Sequence, residues 1–323
     1  MLNAAIVGLG WWGQTLLRAV QGKSELIRFT RGVTKELDAA RELGQVNGLT
    51  LSDDLSAVLN DPKIDAVVLA TPHSLHVEQV IAVARAGKHV FCEKPLSLTR
   101  AGAEQAVAAC RQAGRVLGVG QNKHFWPGVS ALRKIAASGE LGTLLHIEGH
   151  YSNEHSTKFF AGWRDQPDET PGAGMSGTGI HLADAFIALG GPIAEAYTLF
   201  RSTRAGRDPR DTVTALLSFA NGLSGTLACV RASPIYWRIH VFGDSASAES
   251  LGENELVVRH KGGVVERTMF PAVDSVKAEL EAFATAASGG APYPITPQAM
   301  IDTIAAFEAI NTSMRTGERV RLS

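Results

Sequence analysis

The sequence predicts an α/β protein with an N-terminal doubly wound parallel sheet and a C-terminal α+β domain that has an open, mostly antiparallel sheet. Over residues 1–122, short apolar runs alternate with helical patterns, as in repeated β-α-β units. A glycine-rich turn follows the first of these runs. Over residues 123–323, longer segments alternate apolar and polar residues and are joined by turn sequences, which is typical of antiparallel strands.

The length and composition fit two ordinary globular domains. The chain has 323 residues, of which 45% are hydrophobic, and its formal net charge is -1. Lysine and arginine form no basic run, which argues against nucleic-acid binding. No stretch of about 18 apolar residues predicts a membrane span, and the N-terminus lacks the basic start of a secretory signal. We therefore expect a cytoplasmic protein whose partners include neither nucleic acid nor membrane.

The three cysteines predict neither a metal site nor disulfide bonds. Cys92, Cys110 and Cys229 are far apart in the sequence and form no C-x-x-C pair. Isolated and buried thiols are typical of a reducing compartment. We expect no metal ion in this protein.

The first domain, residues 1–122, is expected to alternate strands and helices. Strands are predicted over 4–7, 26–33, 64–70, 89–92 and 116–120, and helices over 13–20, 36–43, 76–86 and 99–113. Gly44, Gly87 and Gly114 follow three of these helices, where a left-handed residue commonly ends a helix.

The second domain, residues 123–323, is expected to bind the substrate and to oligomerise. A connecting helix is predicted over 129–138 and late helices over 276–287 and 297–312, the last a candidate to pack back on the first domain. Asn221-Gly222 joins strands at 212–219 and 223–230, because this pair tolerates positive φ at both turn positions. A similar turn, 261–263, joins strands at 256–259 and 264–268. The segment 152–176 has no clear period and is interpreted as a loop over a substrate pocket.

A glycine motif, Gly8-Leu9-Gly10-Trp11-Trp12-Gly13, lies between the first strand and the first helix. In this position the first glycine permits a tight turn and Gly10 allows the backbone to approach a pyrophosphate. Gly13 allows the helix to pack on the strand, and the amide groups of the helix start face the phosphates. The motif predicts a Rossmann domain that binds a nicotinamide dinucleotide, with Trp11 and Trp12 beside the cofactor.

The residues after the second strand bear on the choice between NAD and NADP. An NAD-specific domain usually has an acidic residue there, which binds the ribose 2′-hydroxyl. This chain has Thr34 and Lys35 instead, with Arg31 just before them. A hydroxyl and a cation suit a 2′-phosphate, so we expect NADP to be preferred over NAD. In the alternative, Arg31 and Lys35 are solvated surface charges.

Two further motifs end predicted strands of the first domain: Ala70-Thr71-Pro72-His73-Ser74-Leu75-His76 and Phe91-Cys92-Glu93-Lys94-Pro95. Open α/β sheets bind ligands at the carboxyl ends of their strands. A lysine at such a strand end can donate or accept a proton, and Pro95 favours an extended conformation at Lys94. In the alternative, Lys94 pairs with Glu93 for structure only.

Nearly the whole chain resembles the Gfo/Idh/MocA family of oxidoreductases (glucose–fructose oxidoreductase, inositol dehydrogenase and relatives). The resemblance is carried by these motifs, by Asn122 and Pro127, and by a later G-x-H-x-x-D sequence. The resemblance implies that Thr71, Pro72 and His76 line the cofactor cleft and that Glu93 holds the nicotinamide ribose. It also implies that Lys94 reaches both the nicotinamide and the substrate oxygen, with Asn122 near the nicotinamide amide.

The G-x-H-x-x-D sequence contains His181 and, three residues later on the same helical face, Asp184. By the resemblance, a catalytic aspartate precedes the histidine by four residues, but this chain has Gly177 there. We expect Lys94, His181 and Asp184 to be catalytic. Glu154 or His155 of the loop could also supply the absent polar group, and the alternative for His181 is a core residue.

Trp163 and Arg164 in the loop are the last candidates for substrate binding, with His155. An arginine makes two-pronged contacts with carboxylates and other planar groups. In the alternative, Arg164 forms an exposed ion pair with Asp165.

These observations predict an NAD(P)-dependent dehydrogenase or reductase that acts on a small polar polyol, sugar or cyclic diol. Two alternatives are an NAD-dependent glycoside hydrolase and a cofactor-sensing regulatory protein without turnover. The exposed face of an open sheet usually needs cover, so a homodimer or homotetramer is expected.

Overall fold

A computed structural model describes residues 1–155, 162–166, 168–172, 174–202 and 211–322. The chain forms two compact units. The first unit comprises Met1–Ser97, Ala101–Asn122 and Asp274–Pro297, and the second comprises Leu98–Arg100, Lys123–Val273 and Gln298–Ser323. The predicted fold class is confirmed, since one sheet is parallel and the other is open and mostly antiparallel.

The helices and strands are numbered in chain order. The strands are β1 (Leu2–Val7), β2 (Ile27–Val33), β3 (Thr50–Ser52), β4 (Ala66–Leu69), β5 (His89–Glu93), β6 (Leu117–Gly120), β7 (Leu144–Asn153), β8 (Ile193–Arg201), β9 (Thr212–Phe219), β10 (Ser224–Arg231), β11 (Tyr236–Gly243), β12 (Ala246–Leu251), β13 (Glu255–His260), β14 (Val265–Met269) and β15 (Val320–Arg321). The helices are α1 (Trp11–Val20), α2 (Leu37–Asn47), α3 (Ser56–Leu59), α4 (His76–Arg85), α5 (Arg100–Gln112), α6 (Pro127–Ser138), α7 (Ile180–Gly190), α8 (Ser275–Ala287) and α9 (Pro297–Thr316).

The sheet of the first unit has six parallel strands in the order β3-β2-β1-β4-β5-β6. All four residues of β4 are fully buried, as expected for a strand covered on both faces. The order reverses between β1 and β4, and ligands of open α/β sheets bind at such a switch point. The residues that follow β1, β4 and β5 therefore lie at the ligand-binding edge.

The end of α2 differs from the prediction. The helix continues past Gly44 to Asn47, and Gly48 takes the left-handed conformation with φ of +66°. Gly44 lies inside the helix, and a glycine is needed there because a Cβ would approach Leu51 Cδ1 to 2.8 Å. This glycine therefore serves packing against β3, a strand too short to show a period in the sequence.

The sheet of the second unit has nine strands in the order β14-β13-β12-β11-β7-β10-β9-β8-β15. Neighbouring strands are antiparallel except β7 and β10, which are parallel. The Asn221-Gly222 turn joins β9 to β10 as predicted, with φ of +87° at Gly222. One face packs against α7, since a Cβ on Gly149 of β7 would approach Phe186 Cε1 to 2.6 Å.

On β9, the other face of this sheet is open in the described chain. In β9, Val213, Ala215, Leu217 and Phe219 are buried, whereas the side chain of Leu216 between them is 54% exposed. This alternation is typical of a sheet covered on one side only.

The two late helices fall in different compact units. In the structure α8 belongs to the first unit, where Phe283 contacts Phe91 of β5 with ring centroids 5.6 Å apart. The α9 helix belongs to the second unit, where Ser313 Oγ accepts a hydrogen bond of 2.8 Å from the Thr198 backbone N–H.

Within the described ranges, no helix combines the length and the apolar character that a membrane span requires. Among those same residues, no group of three or more His, Cys, Asp or Glu side chains could hold a metal ion.

Two of the three cysteines are held as neutral thiols by their surroundings. Burial raises the pKa of the Cys110 and Cys229 thiols to about 12.

Candidate active site

The glycine motif forms the turn between β1 and α1. Gly8 has φ of +91°, and a Cβ there would lie 2.5 Å from the Ala70 carbonyl oxygen at the end of β4. A Cβ on Gly13 would collide with the Gly8 carbonyl oxygen. Gly8 and Gly13 are therefore required by the backbone and by packing, in agreement with the roles expected from the sequence.

Gly10 is different, because neither packing nor backbone strain requires a glycine there. Its φ is −67°, which any residue adopts, and no atom lies within 4 Å of the position of its Cβ. The missing side chain leaves open space beside the amino end of α1. Trp11 and Trp12 form the first turn of this helix, with Trp11 55% exposed and the two ring centroids 5.2 Å apart. Such an opening suits a pyrophosphate that must approach helix amides closely.

The three residues expected to hold a 2′-phosphate are engaged in other contacts. Arg31 donates to Asp61 Oδ2 from NH2 at 2.8 Å, and Lys35 Nζ donates to the Asp53 carbonyl oxygen at 2.9 Å. Thr34 is buried and its hydroxyl donates to Glu36 Oε2 at 2.9 Å. A carboxylate therefore lies at the end of β2, two residues later than expected.

The loops that follow β4 and β5 are joined by His76. Its ring is fully buried, with Nδ1 2.7 Å from the Pro95 carbonyl oxygen and Nε2 3.1 Å from the Thr71 carbonyl oxygen. The Thr71 hydroxyl donates to Gln79 Oε1 at 2.5 Å. His76 thereby holds the two loops that bear Thr71, Pro72 and Lys94, which is a structural role that the sequence did not indicate.

Glu93 and Lys94 end β5 at the ligand-binding edge of the sheet. Glu93 is 5% exposed, and its Oε2 accepts the Lys94 backbone N–H at 3.2 Å. A side chain at Gly120 on the neighbouring strand would collide with the Glu93 carboxylate, so this glycine makes room for it. Asn122, just beyond β6, lies with Nδ2 3.4 Å from Ser275 Oγ at the start of α8.

In the second unit, His181 lies in the first turn of α7, directly after a π-helical turn at Met175–Gly179. Wide turns of this kind occur often at functional sites. His181 is 6% exposed, and its ring centroid is 6.4 Å from that of Tyr151 on β7. Burial raises the pKa of Tyr151 to about 12, so its hydroxyl stays protonated at neutral pH.

Asp184, expected to be catalytic, is 4% exposed and lies 2.9 Å from His124 Nδ1. The other ring nitrogen of His124 contacts NH1 of Arg133, and NH2 of Arg133 donates to the His124 carbonyl oxygen at 3.0 Å. Burial lowers the pKa of Arg133, and the charge of Asp184 opposes this shift. Asp184 is thus part of a buried His–Asp–Arg cluster.

The loop candidates are only partly described, because 156–161, 167 and 173 lie outside the described residues. Arg164 stacks over the ring of Trp163 at 4.2 Å, and its carbonyl oxygen accepts the Thr170 hydroxyl at 3.0 Å. The side chain of Asp165, its suggested ion-pair partner, is likewise outside the description. His155 is exposed, and its backbone N–H donates to Asn153 Oδ1 at 3.0 Å.

Comparison with known proteins agrees with this fold. A model of the oxidoreductase family with an NAD-binding Rossmann fold, GFO_IDH_MocA, matches residues 2–121, and a GFO/IDH/MocA C-terminal domain matches residues 129–249. Inositol 2-dehydrogenase 2 of Saccharopolyspora erythraea is 30% identical over 334 residues, which cover 98% of this chain and 94% of that protein. The chain belongs to the GFO/IDH/MocA family.

Other relatives in this family carry different names. The 2,7-anhydro-N-acetylneuraminate hydratase of Escherichia coli (strain K12) is 29% identical over 233 residues, or 70% of this chain, and the match spans only 61% of that protein. Levoglucosan dehydrogenase in complex with NADH has the same fold, with a TM-score of 0.88 at 22% identity over 100% of this chain and 99% of that one.

In this GFO/IDH/MocA protein, the ammonium group of Lys123 is surrounded by aromatic rings. The sequence did not indicate this arrangement. Lys123 Nζ lies 3.9 Å from the centroid of the Trp126 ring and 4.7 Å from that of Tyr151, and Trp237 lies 5.9 Å away. The basic pair Lys123-His124 directly after Asn122 was the available signal. The aromatic partners on β7 and β11 come from distant strands, and no local pattern identifies them.

Proposed function

We propose that this protein transfers a hydride between a nicotinamide cofactor and a carbinol or carbonyl carbon of a small polar polyol, sugar or cyclic diol. The observation that carries the proposal is the open space at Gly10 beside the amino end of α1, in a turn where Gly8 and Gly13 have structural reasons to be glycine. The family assignment and the names of inositol 2-dehydrogenase and levoglucosan dehydrogenase support the substrate class.

The cofactor would be held by the backbone of the glycine motif and by side chains at the carboxyl ends of the first unit's strands. Proposed contacts are Gly8, Gly10, Trp11, Trp12, Gly13, Thr71, Pro72, Glu93, Lys94 and Asn122, while the fully buried His76 would hold the loops that carry Thr71 and Lys94. A nicotinamide held there would supply the hydride-transfer chemistry. The half-buried Lys94 is suited to the substrate oxygen because an ammonium on a strand end can donate or remove a proton there.

The second unit would supply the substrate contacts. We assign His181 to orienting the substrate or sharing its proton, and Trp163, Arg164 and His155 to binding its polar groups. Asp184 would act through His124 and the placement of α7, because it is buried in the His–Asp–Arg cluster. This assignment makes Asp184 a positioning residue in place of the catalytic residue expected from the sequence.

For the cofactor we favour NAD over the NADP expected from the sequence. Both cations near the end of β2 are already engaged, because Arg31 pairs with Asp61 and Lys35 donates a hydrogen bond to the Asp53 carbonyl oxygen. The Thr34 hydroxyl donates to the carboxylate of Glu36. A carboxylate at the end of the second strand binds a ribose 2′-hydroxyl and repels a 2′-phosphate. Glu36 is the residue to which we assign this selection.

We also propose a homodimer or homotetramer formed through the open sheet face of the second unit, and a cytoplasmic location. The exposed side chains of Leu199 and Leu216 on neighbouring strands support the first proposal, since adjoining apolar side chains favour cover by a second surface. The buried thiols of Cys92, Cys110 and Cys229 support the second. Size-exclusion chromatography with light scattering tests the assembly, and a monomer at micromolar concentration would contradict it.

The experiment that tests the function is a dehydrogenase screen over sugars, cyclitols and dihydrodiols with NAD and with NADP. We expect net formation of reduced nicotinamide, read by its absorbance, with at least one class of substrate. The findings do not favour glycoside hydrolysis or a regulatory role without turnover. A product formed without net reduction of the cofactor, or cofactor binding without any turnover, would contradict the proposal.

A further inference from the structure

The ring of His76 lies between two backbone carbonyl groups. The residue is fully buried, with Nδ1 2.7 Å from the Pro95 carbonyl oxygen and Nε2 3.1 Å from the Thr71 carbonyl oxygen. Both distances are those of hydrogen bonds, and the shorter one falls in the range of bonds made by a charged donor. A carbonyl oxygen can only accept a hydrogen bond, so both ring nitrogens face acceptors.

A neutral ring cannot donate to both of these oxygens. Neutral imidazole has a hydrogen on one nitrogen and a lone pair on the other. In either tautomer, one nitrogen lone pair of His76 would lie against a carbonyl oxygen at hydrogen-bond distance. Two buried acceptors placed together lose their bonds to water and gain none in return. An imidazolium has a hydrogen on each nitrogen and therefore donates to both carbonyl oxygens.

Two effects oppose a charge on this ring. Burial disfavours the charged form of a histidine, and the amino end of α4, where His76 is the first residue, has a positive partial charge. The two carbonyl oxygens favour the charged form, because hydrogen bonds from a charged donor are roughly twice as strong as neutral ones. The neutral form has no such compensation, since each tautomer leaves one of the two contacts repulsive.

Other charges lie on the segments packed against α4, which are β4, β5 and the turn 73–75. Glu93 at the end of β5 is 5% exposed and, as a carboxylate, favours a cation nearby, whereas the following Lys94 opposes one. The remaining titratable side chains of these segments and of α4 itself are His73, Glu78, Arg85, His89 and Cys92. Of these, Glu78 and Arg85 are exposed, so solvent screens their charges.

We propose that His76 is a buried imidazolium at neutral pH and that its two charged hydrogen bonds position the cofactor loops. One bond fixes Thr71 in the loop after β4, and the other fixes Pro95, the residue after Lys94. His76 is thus a positioning residue that acts through the backbone of both loops. The positioning role rests on the proposed function, whereas the protonation state does not.

The protonation state is tested by NMR of the full chain labelled with ¹⁵N-histidine, without cofactor or substrate. At about pH 8 an ordinary histidine is neutral and has one protonated and one unprotonated ring nitrogen. We expect one of the 10 histidines to show two protonated nitrogens at this pH. This signal should shift in His73→Asn, because the ring of His73 lies 5.7 Å from that of His76. It should stay in place in the control His260→Gln, on β13 of the second unit.

Two results would overturn the protonation state. One is a spectrum at this pH in which no histidine has two protonated nitrogens. The other is a doubly protonated signal that disappears or stays in place in His73→Asn, which would assign it to another residue. Neither result requires a substitution at His76, so the experiment decides even if a variant at that position does not fold.

The positioning role is tested with His76→Gln, which keeps a polar group without the charge. We expect the Kd of NADH to rise and kcat to fall by about 10-fold or more, because a small misplacement of reacting groups has an effect of this size. In the wild type, NADH affinity should fall at the pH at which the doubly protonated signal is lost. In His76→Gln it should not change over that range, which distinguishes the charge from mere packing.

A folded His76→Gln variant with the wild-type Kd and kcat would overturn the positioning role. If the variant does not fold, a wild-type Kd that stays constant through the loss of the NMR signal overturns it. Failure of the proposed function has a separate signature. A wild type that binds NADH but turns over no compound contradicts the reaction class and leaves the Kd test in force. A wild type that does not bind NADH contradicts both the function and the positioning role, while the NMR experiment still decides the protonation state.

Discussion

Asp184 Oδ2 lies 2.9 Å from His124 Nδ1, and both side chains are almost fully buried. Because the guanidinium of Arg133 can only donate, His124 accepts from it through Nε2 and donates its Nδ1–H to Asp184. The charge of Arg133 and that of Asp184 are thus joined through a neutral ring. This cluster ties α7, which carries His181, to the segment that follows Asn122.

The Asp184→Asn substitution is expected to destabilise the protein. Asparagine can still accept from His124, but it lacks the charge that offsets Arg133, so we expect a loss of about 1–3 kcal/mol in the free energy of unfolding, measured by urea denaturation. Turnover is expected to fall as well, but less than in Lys94→Ala. Asp38→Asn, at a 92% exposed side chain, is the control. Unchanged stability with severely reduced kcat would indicate instead that Asp184 touches the substrate.

The glycine motif offers a matched pair of substitutions. Gly10→Val is expected to fold normally, because its Cβ meets no atom, and to lose the thermal stabilisation that NAD(P) gives the wild type. Gly13→Ala is expected to lower Tm without any cofactor, because its Cβ collides with the Gly8 carbonyl oxygen. Differential scanning fluorimetry with and without NAD(P) measures both. Full stabilisation of Gly10→Val by the cofactor would disprove the assignment of the pyrophosphate site.

The choice of cofactor is expected to depend on Glu36. In Glu36→Gln the affinity for NAD should fall by about 1.5–3 kcal/mol, the range of hydrogen bonds to charged groups, while the affinity for NADP stays equal or rises. Lys35→Ala should leave the ratio of the two affinities nearly unchanged, since Lys35 binds the Asp53 carbonyl oxygen. Isothermal titration gives both constants. A Lys35→Ala variant that loses NADP affinity selectively would restore the expectation of an NADP site.

Features set by local chemistry were predicted from the sequence, and features set by distant contacts were not. The Asn221-Gly222 turn and the positive φ of Gly8 have their cause within a few residues, as does the close approach of Gly13 to the Gly8 carbonyl oxygen, and these glycines were found. Gly44 was misinterpreted as a helix end because its reason, close packing against Leu51, comes from another element. The pairing of Arg31 with Asp61 joins residues 30 apart, which no period in the sequence reveals.

The same limit applies to the candidate site. Lys94 and His181 stand out in sequence motifs, but the partners that hold the site residues do not. His124 and Arg133 meet Asp184 through the packing of α6 against α7, and Tyr151 and Trp237 reach Lys123 from strands β7 and β11. Clusters whose members come from several strands and helices could therefore be identified only from the structure.

The stability of the protein is expected to fall with acid because of His240. Burial lowers the pKa of this imidazole to about 4, and it lies in a cluster with Arg238 and Glu249 on the second sheet. Between pH 4 and the ordinary value of 6.5 this imidazole binds a proton in the unfolded chain but not in the folded one. The contribution of His240 to stability is therefore lost as pH falls through this window and is constant above it.

The His240→Gln variant is the control for this effect, since glutamine keeps polarity without titrating in this range. We expect the fall in Tm from pH 7 to pH 5 to be smaller in the variant than in the wild type. Identical pH profiles of Tm would show that other groups cause the acid sensitivity.

The central claim is that Lys94 serves proton transfer to or from the reacting oxygen, and the Lys94→Ala variant tests it most directly. With the substrate and cofactor found in the screen, single-turnover and steady-state rates are measured together with the Kd of NADH. We expect a fall in kcat of at least ~10²-fold, the usual effect of removing a placed acid–base group, with the Kd of NADH changed much less. A Lys94→Ala variant that turns the same substrate over at close to the wild-type rate would contradict it.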